Sequence, residues 1–303
     1  MIQEKKDYLT LHFTVLIWGF TAILGLLIEV PAVEVVFFRT LISAVGLWLL
    51  LVLWKRSLKI DSRKYLLIIL GTGVLIALHW ILFFLSARIS NASVCLAGMA
   101  TCSLWTSLIE PISQKKKIKG FEVLLSIIAF IGIGVIFNVE FDYLSGLLTA
   151  VLSAFVASVF TVINGRLTKK YDPYVITFYE MIGACAATAL FFPFYTAYFV
   201  DGLALNPSMF DWVYLSILAI VCTVYAYSVS VELMKRLSAF SINLVVNLEP
   251  VYGIILALVI FGDSEEMSPG FYLGTLLILT SVLLYPLLNR RYKKKALSTD
   301  IIR

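Results

Sequence analysis

Ten long apolar runs constrain this chain more than anything else in it. They fall at approximately 9–28, 32–54, 65–86, 91–112, 121–139, 143–166, 173–199, 211–234, 238–262 and 268–289. Each reaches the roughly 20 residues with which a helix crosses a bilayer core about 30 Å thick. Lipid offers backbone N–H and C=O groups no partner, so a crossing segment must satisfy them internally, as a helix does. The runs lack the short alternation of barrel strands. Only 14% of the residues are charged, against about 25% in a soluble domain. The expected fold class is therefore an all-α integral membrane protein of ten transmembrane helices, spans 1 to 10. The first run is as long as the others and leads straight into a second, so it reads as a span rather than a cleavable signal peptide. Cys95, Cys102, Cys185 and Cys222 lie inside spans without metal-ligand spacing. They read as packing residues, and no metal or cofactor is called for.

Charge orients the chain. Of its 24 Lys and Arg, 22 lie on alternate connections and at the two termini, Arg88 stands alone on the opposite side, and Arg39 lies within span 2. By the positive-inside rule both termini are cytoplasmic. A wrong span count would scramble this alternation. The tail 291–303, with its run "RRYKKK" across 290–295, reads as a solvated anchor beside lipid head groups, and the basic balance calls for no nucleic-acid partner.

The two halves resemble each other. "PAVEVVFFRTLISA" (31–44) matches "DPYVITFYEMIGACA" (172–186), which aligns Arg39 with Glu180. "ISNASVCL" (89–96) matches "LSAFSINL" (237–244), and "KGFEVLLSIIAFIGIGVIF" (119–137) matches "PGFYLGTLLILTSVLLYPL" (269–287). The order holds while the offsets drift from 141 to 148 to 150. The expected units are 1–140 with spans 1–5, 141–290 with spans 6–10, and the tail. Five is odd, so the second unit enters the membrane inverted. Inverted repeats characterise secondary transporters that handle substrate near the midplane.

"NLVVNLEPVYG" (243–253) then stands out inside span 9. Glu249 lies roughly 16 Å along the span, at mid-membrane. A carboxylate there costs on the order of 2.5–3.5 kcal/mol and is expected to face the bundle interior or a wet cavity. Pro250 has no N–H for the carbonyl of Val246, which favours a kink. Asn243, Asn247 and Pro250 share one stripe, while Glu249 lies about 160° from Asn247 on an ideal helix. The asparagine stripe is favoured for substrate contact. Glu249 is either a proton- or substrate-coupling site or a hydrogen-bonding anchor.

Other intramembrane groups carry paired readings. His79 is a pH-sensing or ligand-contacting group, or a packed histidine. Trp80 offers a stacking face or fills the core. Trp18 precedes Thr21, Ala22 and Gly25, which suits a cavity wall or a close helix contact. Asn164 on span 6 and Tyr225 with Ser228 on span 8 are placed at a central space. Arg39 and Glu180 are taken to pair with other helices, and Glu232 with Arg236 as a local ion pair. Small residues stripe span 4 (Ala97, Gly98, Ala100) and span 6 (Ala150, Ala154, Ala157), permitting close, sliding contact.

"IWGFTAI", "FFRTLIS", "HWILFFLSARISNASVCLA" and "FGDSEEMSPGFYLGTLLILTSVLL" together resemble the EamA family of the drug/metabolite transporter superfamily over nearly the whole chain. The resemblance implies a ten-helix carrier of the bacterial inner membrane whose cavity is lined mainly by spans 1, 3, 4, 6, 8 and 9. It implies export of amino acids or other small metabolites, with an importer as the alternative. Two positions depart from the family pattern. Span 4 lacks the usual proline, with Ser103 near that place, and span 9 ends in Gly262-Asp263 where Gly-Glu is common. The missing proline predicts two mechanically unequal halves.

A membrane-embedded enzyme would need a metal cluster or a nucleophile with its base, and neither spacing occurs. A sensor or scaffold would need a soluble signalling domain, and an ATP-driven pump a phosphate-binding loop. The expected partners are the bilayer, a small-molecule substrate and protons as coupling ion, with the chain a monomer or homodimer. Nearly missing mid-membrane cations favour amphipathic substrates over polyanions.

Overall fold

The computed structural model of the chain describes residues 2–115, 118–139 and 141–300. Among these, every regular element is a helix. Nine helices are long and apolar enough to cross a membrane, and a shorter apolar helix covers Gly120–Ile136, where span 5 is expected. The nine are Gln3–Leu27, Ala32–Leu53, Arg63–Ile89, Ala92–Ser113, Leu144–Leu167, Pro173–Tyr198, Met209–Leu233, Ala239–Glu265 and Pro269–Tyr292. The protein is thus an all-α membrane protein of about ten spans.

Local chemistry sets the starts of the spans. Asn91 Oδ1 accepts the Val94 N–H at 2.8 Å at the head of span 4, and Ser238 Oγ accepts Ser241 N–H at 3.1 Å at the head of span 9. Asp172 accepts Tyr174 N–H at 2.9 Å, with Pro173 at the first helical position of span 7. Ser208 and Asp211 form a capping box at span 8. Each answers an N–H that the first turn of a helix leaves free.

The packing suits lipid. Large apolar side chains such as Leu53, Leu190 and Val259 point outward, while helix contacts inside rest on small residues. A Cβ on Gly73 would come within 2.2 Å of the Glu180 carbonyl, and one on Gly183 within 2.4 Å of that of Leu70, so spans 3 and 7 touch backbone to backbone. Spans 5 and 10 also meet at glycines, where a Cβ on Gly132 or Gly274 would lie 2.7 Å from the other's carbonyl oxygen.

Three spans are interrupted. Span 1 parts between Trp18 and Thr21, span 4 between Met99 and Cys102, and span 9 between Val246 and Glu249. Span 4 lacks the proline usual near its middle, yet its break occurs within a residue of where the alignment places the break of span 9. The two spans also cap one another. Glu265, the last residue of span 9, accepts the N–H groups of Ala92 and Ser93 at 2.8 Å each. Glu110, near the end of span 4, accepts that of Phe240 at 3.0 Å.

Two further charges have positions that spacing alone missed. Arg88 Nη2 donates to the carbonyls of Gly25, Ile28 and Val30, closing the end of span 1. Arg236 pairs with Asp7 through two contacts of 2.7 and 2.8 Å, not with Glu232. Glu232 instead accepts from Tyr174 OH at 3.3 Å, because span 1 delivers a carboxylate with better geometry than the helical neighbour.

Candidate functional site: a mid-bundle cavity

The three interruptions converge on one cavity with an empty volume of about 720 Å³. Each supplies the residue on either side of its break: Trp18 and Thr21, Met99 and Cys102, Val246 and Glu249. At the first break the Thr21 hydroxyl donates to the carbonyl of Trp18 at 2.7 Å. At the second, Thr101 donates to that of Gly98 at 2.8 Å. A hydroxyl three residues on replaces a missing helical partner, so the chain can part without leaving a bare carbonyl in lipid.

The rest of the wall is aromatic and apolar, with a few polar groups. Trp80 and Phe83 come from span 3, Phe160 from span 6, Tyr227 from span 8, and Ile242 and Asn243 from span 9. His79 lines the cavity too, its Nδ1 lying 2.7 Å from Ser153 Oγ and 3.1 Å from the Ser153 carbonyl. A carbonyl only accepts, so Nδ1 is the donor. Ser153 Oγ in turn donates to the His79 carbonyl at 2.9 Å, a reciprocal clasp between spans 3 and 6.

Two formal charges face the cavity. Glu249 is buried, with Oε1 3.4 Å from the Thr21 hydroxyl oxygen, whose hydrogen is committed to the nearer Trp18 carbonyl. Arg39 is buried on span 2, its guanidinium carbon 3.8 Å from the Trp80 ring centroid, and its Nε donates to Thr223 Oγ1 at 2.9 Å. No carboxylate oxygen comes within 4.0 Å of Arg39 among the described residues. Span 2 is thus part of a wall that the resemblance assigned mainly to six other spans.

Span 8 shapes the far wall by running as a π-helix over Ile217–Tyr227. Its wider turn, bonded i to i+5, shows carbonyls to neighbours. Trp18 Nε1 donates to Cys222 O at 3.0 Å, Ser43 Oγ to Ala219 O at 3.2 Å, and Thr223 Oγ1 to Leu218 O at 2.9 Å.

Of the residues singled out from the sequence, the structure brings Trp18, His79, Trp80, Asn243 and Glu249 to the cavity wall. Asn247 is turned aside, donating to Ser103 Oγ at 2.5 Å, while Asn243 donates to Thr106 Oγ1 at 2.7 Å. The stripe therefore clasps span 4, and the break after Val246 rotates Glu249 off the face an unbroken helix would give it. Pro250 is buried in the first turn of the second segment, a position that needs no N–H. Asn164 lies behind the wall, where its Nδ2 donates to Tyr227 OH at 2.9 Å. Tyr227 donates onward to Glu180 Oε2 at 3.1 Å. Ser228 is buried outside the lining, its Oγ without a partner. Tyr225 is exposed, its ring edge-on to Phe13. The α-helical spacing that put Tyr225 with Ser228 on the central face fails across the π-helical turn, which presents Tyr227 instead. Arg39, Phe160 and Tyr227 went unremarked as wall residues. An arginine in an apolar run was the signal that existed for the first.

Comparison with known proteins agrees with this architecture. The model of the EamA-like transporter family matches residues 6–138 and again 144–286. A protein of Archaeoglobus fulgidus described as an uncharacterized transporter is 25% identical over 277 residues, covering 87% of this chain and 92% of that protein. One crystal structure superposes with a TM-score of 0.69 at 16% identity, covering 95% of this chain and 99% of that one. At that identity the likeness concerns the fold.

Proposed function

The chain belongs to the EamA-like transporter family, and we propose that it is a secondary carrier exporting small metabolites by alternating access. It is a multi-pass membrane transporter rather than an enzyme. The observation that carries the finer reading is the meeting of three interrupted helices at one mid-bundle cavity. Broken helices surround the substrate in many carriers because their ends lend polar groups and act as hinges. Two inverted five-span units, 1–140 and 141–290, would supply inward- and outward-open shapes of similar energy. The aligned breaks in spans 4 and 9 and their exchanged carboxylate caps support that symmetry. The setting would be a bacterial inner membrane with both termini cytoplasmic. In this reading Glu249 is the coupling group, taking a proton from the cavity as the carrier changes face.

The test begins with a thermal-shift screen of the purified protein against a metabolite panel. Hits are then followed by flux into reconstituted vesicles across a pH gradient. Glu249→Gln is expected to fold, bind and lose the pH dependence of flux. Unchanged pH-dependent flux in that variant removes the coupling role. Flux no greater than in protein-free vesicles for every compound that binds removes the carrier.

A further inference from the structure

Arg39 is a buried cation with no carboxylate oxygen within 4.0 Å among the described residues. Among those residues its Nε–H finds an acceptor in Thr223, and the four Nη hydrogens find none at the cavity wall. Glu249 is the carboxylate on the same wall, but its oxygens lie beyond ion-pair distance, with Oε1 3.4 Å from the Thr21 hydroxyl oxygen. A buried charge needs a partner to be tolerated. Here the missing partner has to arrive through the cavity.

We propose that Arg39, held over the Trp80 ring, is the receptor for the head group of an organic monoanion with a flat apolar body. This deepens the carrier reading above and rests on it. The guanidinium is a planar fork that matches two oxygens of one carboxylate or sulfonate side by side. Its carbon lies 3.8 Å from the indole centroid and its Nε is bonded to Thr223, and these two contacts restrain the fork, so less side-chain entropy remains to be lost on binding. Thr223 is itself held, since it donates to the Leu218 carbonyl in the π-helical turn.

The rest of the cavity selects the body of the ligand. Trp18, Phe83, Phe160 and Tyr227 give it flat apolar walls, the kind of lining that small-molecule sites use. One cation answers one negative charge. A dianion would place its second charge against aromatic rings or beside Glu249, with no further lysine or arginine on the wall. A cationic head group would meet Arg39 directly. The substrate class is therefore monoanionic and amphipathic, a narrower set than the amphipathic molecules that the sequence alone favours.

The probe is benzenesulfonate, which keeps its charge across the working pH range, compared with neutral benzenesulfonamide and cationic benzyltrimethylammonium. Binding to the purified wild-type protein is read by thermal shift and by quenching of tryptophan fluorescence. Benzenesulfonate is expected to bind at least tenfold more tightly than either comparator, and Arg39→Gln to abolish that preference. Arg39→Lys, which keeps the charge and loses the fork, is expected to weaken benzenesulfonate severalfold while still excluding the cation. Equal binding of sulfonate and sulfonamide by the wild type overturns the proposal even if Arg39→Gln fails to fold, and so does a preference that survives in a folded Arg39→Gln. Exchange of labelled benzenesulfonate and benzenesulfonamide at equal rates across vesicle membranes would keep the carrier and remove the anion receptor. Selective binding without any exchange would keep the receptor and remove the carrier.

Discussion

Span 9 has a proline directly after its break and an asparagine at it; span 4 has Pro111 only in the last turn of its second segment and no asparagine at its break, yet it parts at the aligned place. In span 4 the bend rests on a hydroxyl and on smallness. Thr101 takes the carbonyl of Gly98 with its side chain, and Gly98 itself lies against span 6 with no room for a Cβ. In span 9 the break is held by Asn247, reaching across to Ser103, and the second segment starts at Glu249 with Pro250 following. Proline is thus one way among several to part a helix. The common requirement is that each freed polar group finds a partner, because lipid supplies none.

The largest effect is expected where span 4 depends on smallness. A Cβ at Gly98 would meet the Ala150 Cβ at 2.5 Å and the Leu147 carbonyl at 3.2 Å, both close to a helix backbone that cannot yield. Gly98→Val should cost at least the about 1–3 kcal/mol of an overpacked site, seen as a lowered melting temperature and poor recovery of monodisperse protein. The counterpart in span 9 gives the contrast. A Cβ at Gly253 would meet the tip of Leu96 at 2.4 Å, which can turn, and the Gly19 carbonyl at 3.0 Å, which must give by a few tenths of an ångström. Gly253→Ala should be clearly milder than Gly98→Ala, and equal losses would show that the two contacts are alike after all.

Next come the exchanged caps. Glu265 is buried and holds two N–H groups of span 4, while Glu110 is half-buried and holds one of span 9. Leaving a buried donor unsatisfied costs about 1–3 kcal/mol, so Glu265→Ala should lower stability by about 2–4 kcal/mol and Glu110→Ala by about 1 kcal/mol or less. Melting curves of the two purified variants decide it, and the reverse order would sink this assignment.

The span count and its pattern were legible because length and apolarity are properties of each segment alone. So was the placement of Glu249 inside the bundle at a cavity, since an acid at mid-membrane has few tolerable surroundings. The cavity wall was less legible, for reasons of helix phase. Assigning faces at 100° per residue presumes an unbroken α-helix. The π-helical turn in span 8 exchanged Tyr225 for Tyr227, and the break in span 9 brought Glu249 onto the wall beside Asn243. Arg39 was visible as a residue, but its availability was not, because that depends on which carboxylates stop short of it in three dimensions. The partner of Arg236 was misjudged for the same reason: spacing along one helix favoured Glu232, and the tertiary fold supplied Asp7.

A smaller effect should follow removal of the hydroxyl that replaces a backbone bond in span 4. Thr101→Val keeps the shape and leaves the Gly98 carbonyl with the Thr101 N–H at 3.2 Å. A loss of about 1 kcal/mol is expected, together with altered flux if the break is a hinge. Unchanged stability and flux would show that the backbone bond alone suffices.

The smallest effect is expected at the residue that looked most disruptive in the sequence. Pro250 lies beyond the break, in the first turn of the second segment, where a missing N–H costs nothing because helix starts leave their first N–H groups free. Pro250→Ala should therefore leave the break in place, change stability by less than about 1 kcal/mol, and leave substrate flux within about twofold of wild type, since span 4 parts with no proline at its break. The decisive measurement is distance: spin labels on either side of span 9 should report the same separation in both proteins. If the alanine variant straightens the span and stops flux, the proline is the hinge after all. The break in span 4 would then need a cause other than the hydroxyl and small residues that hold it.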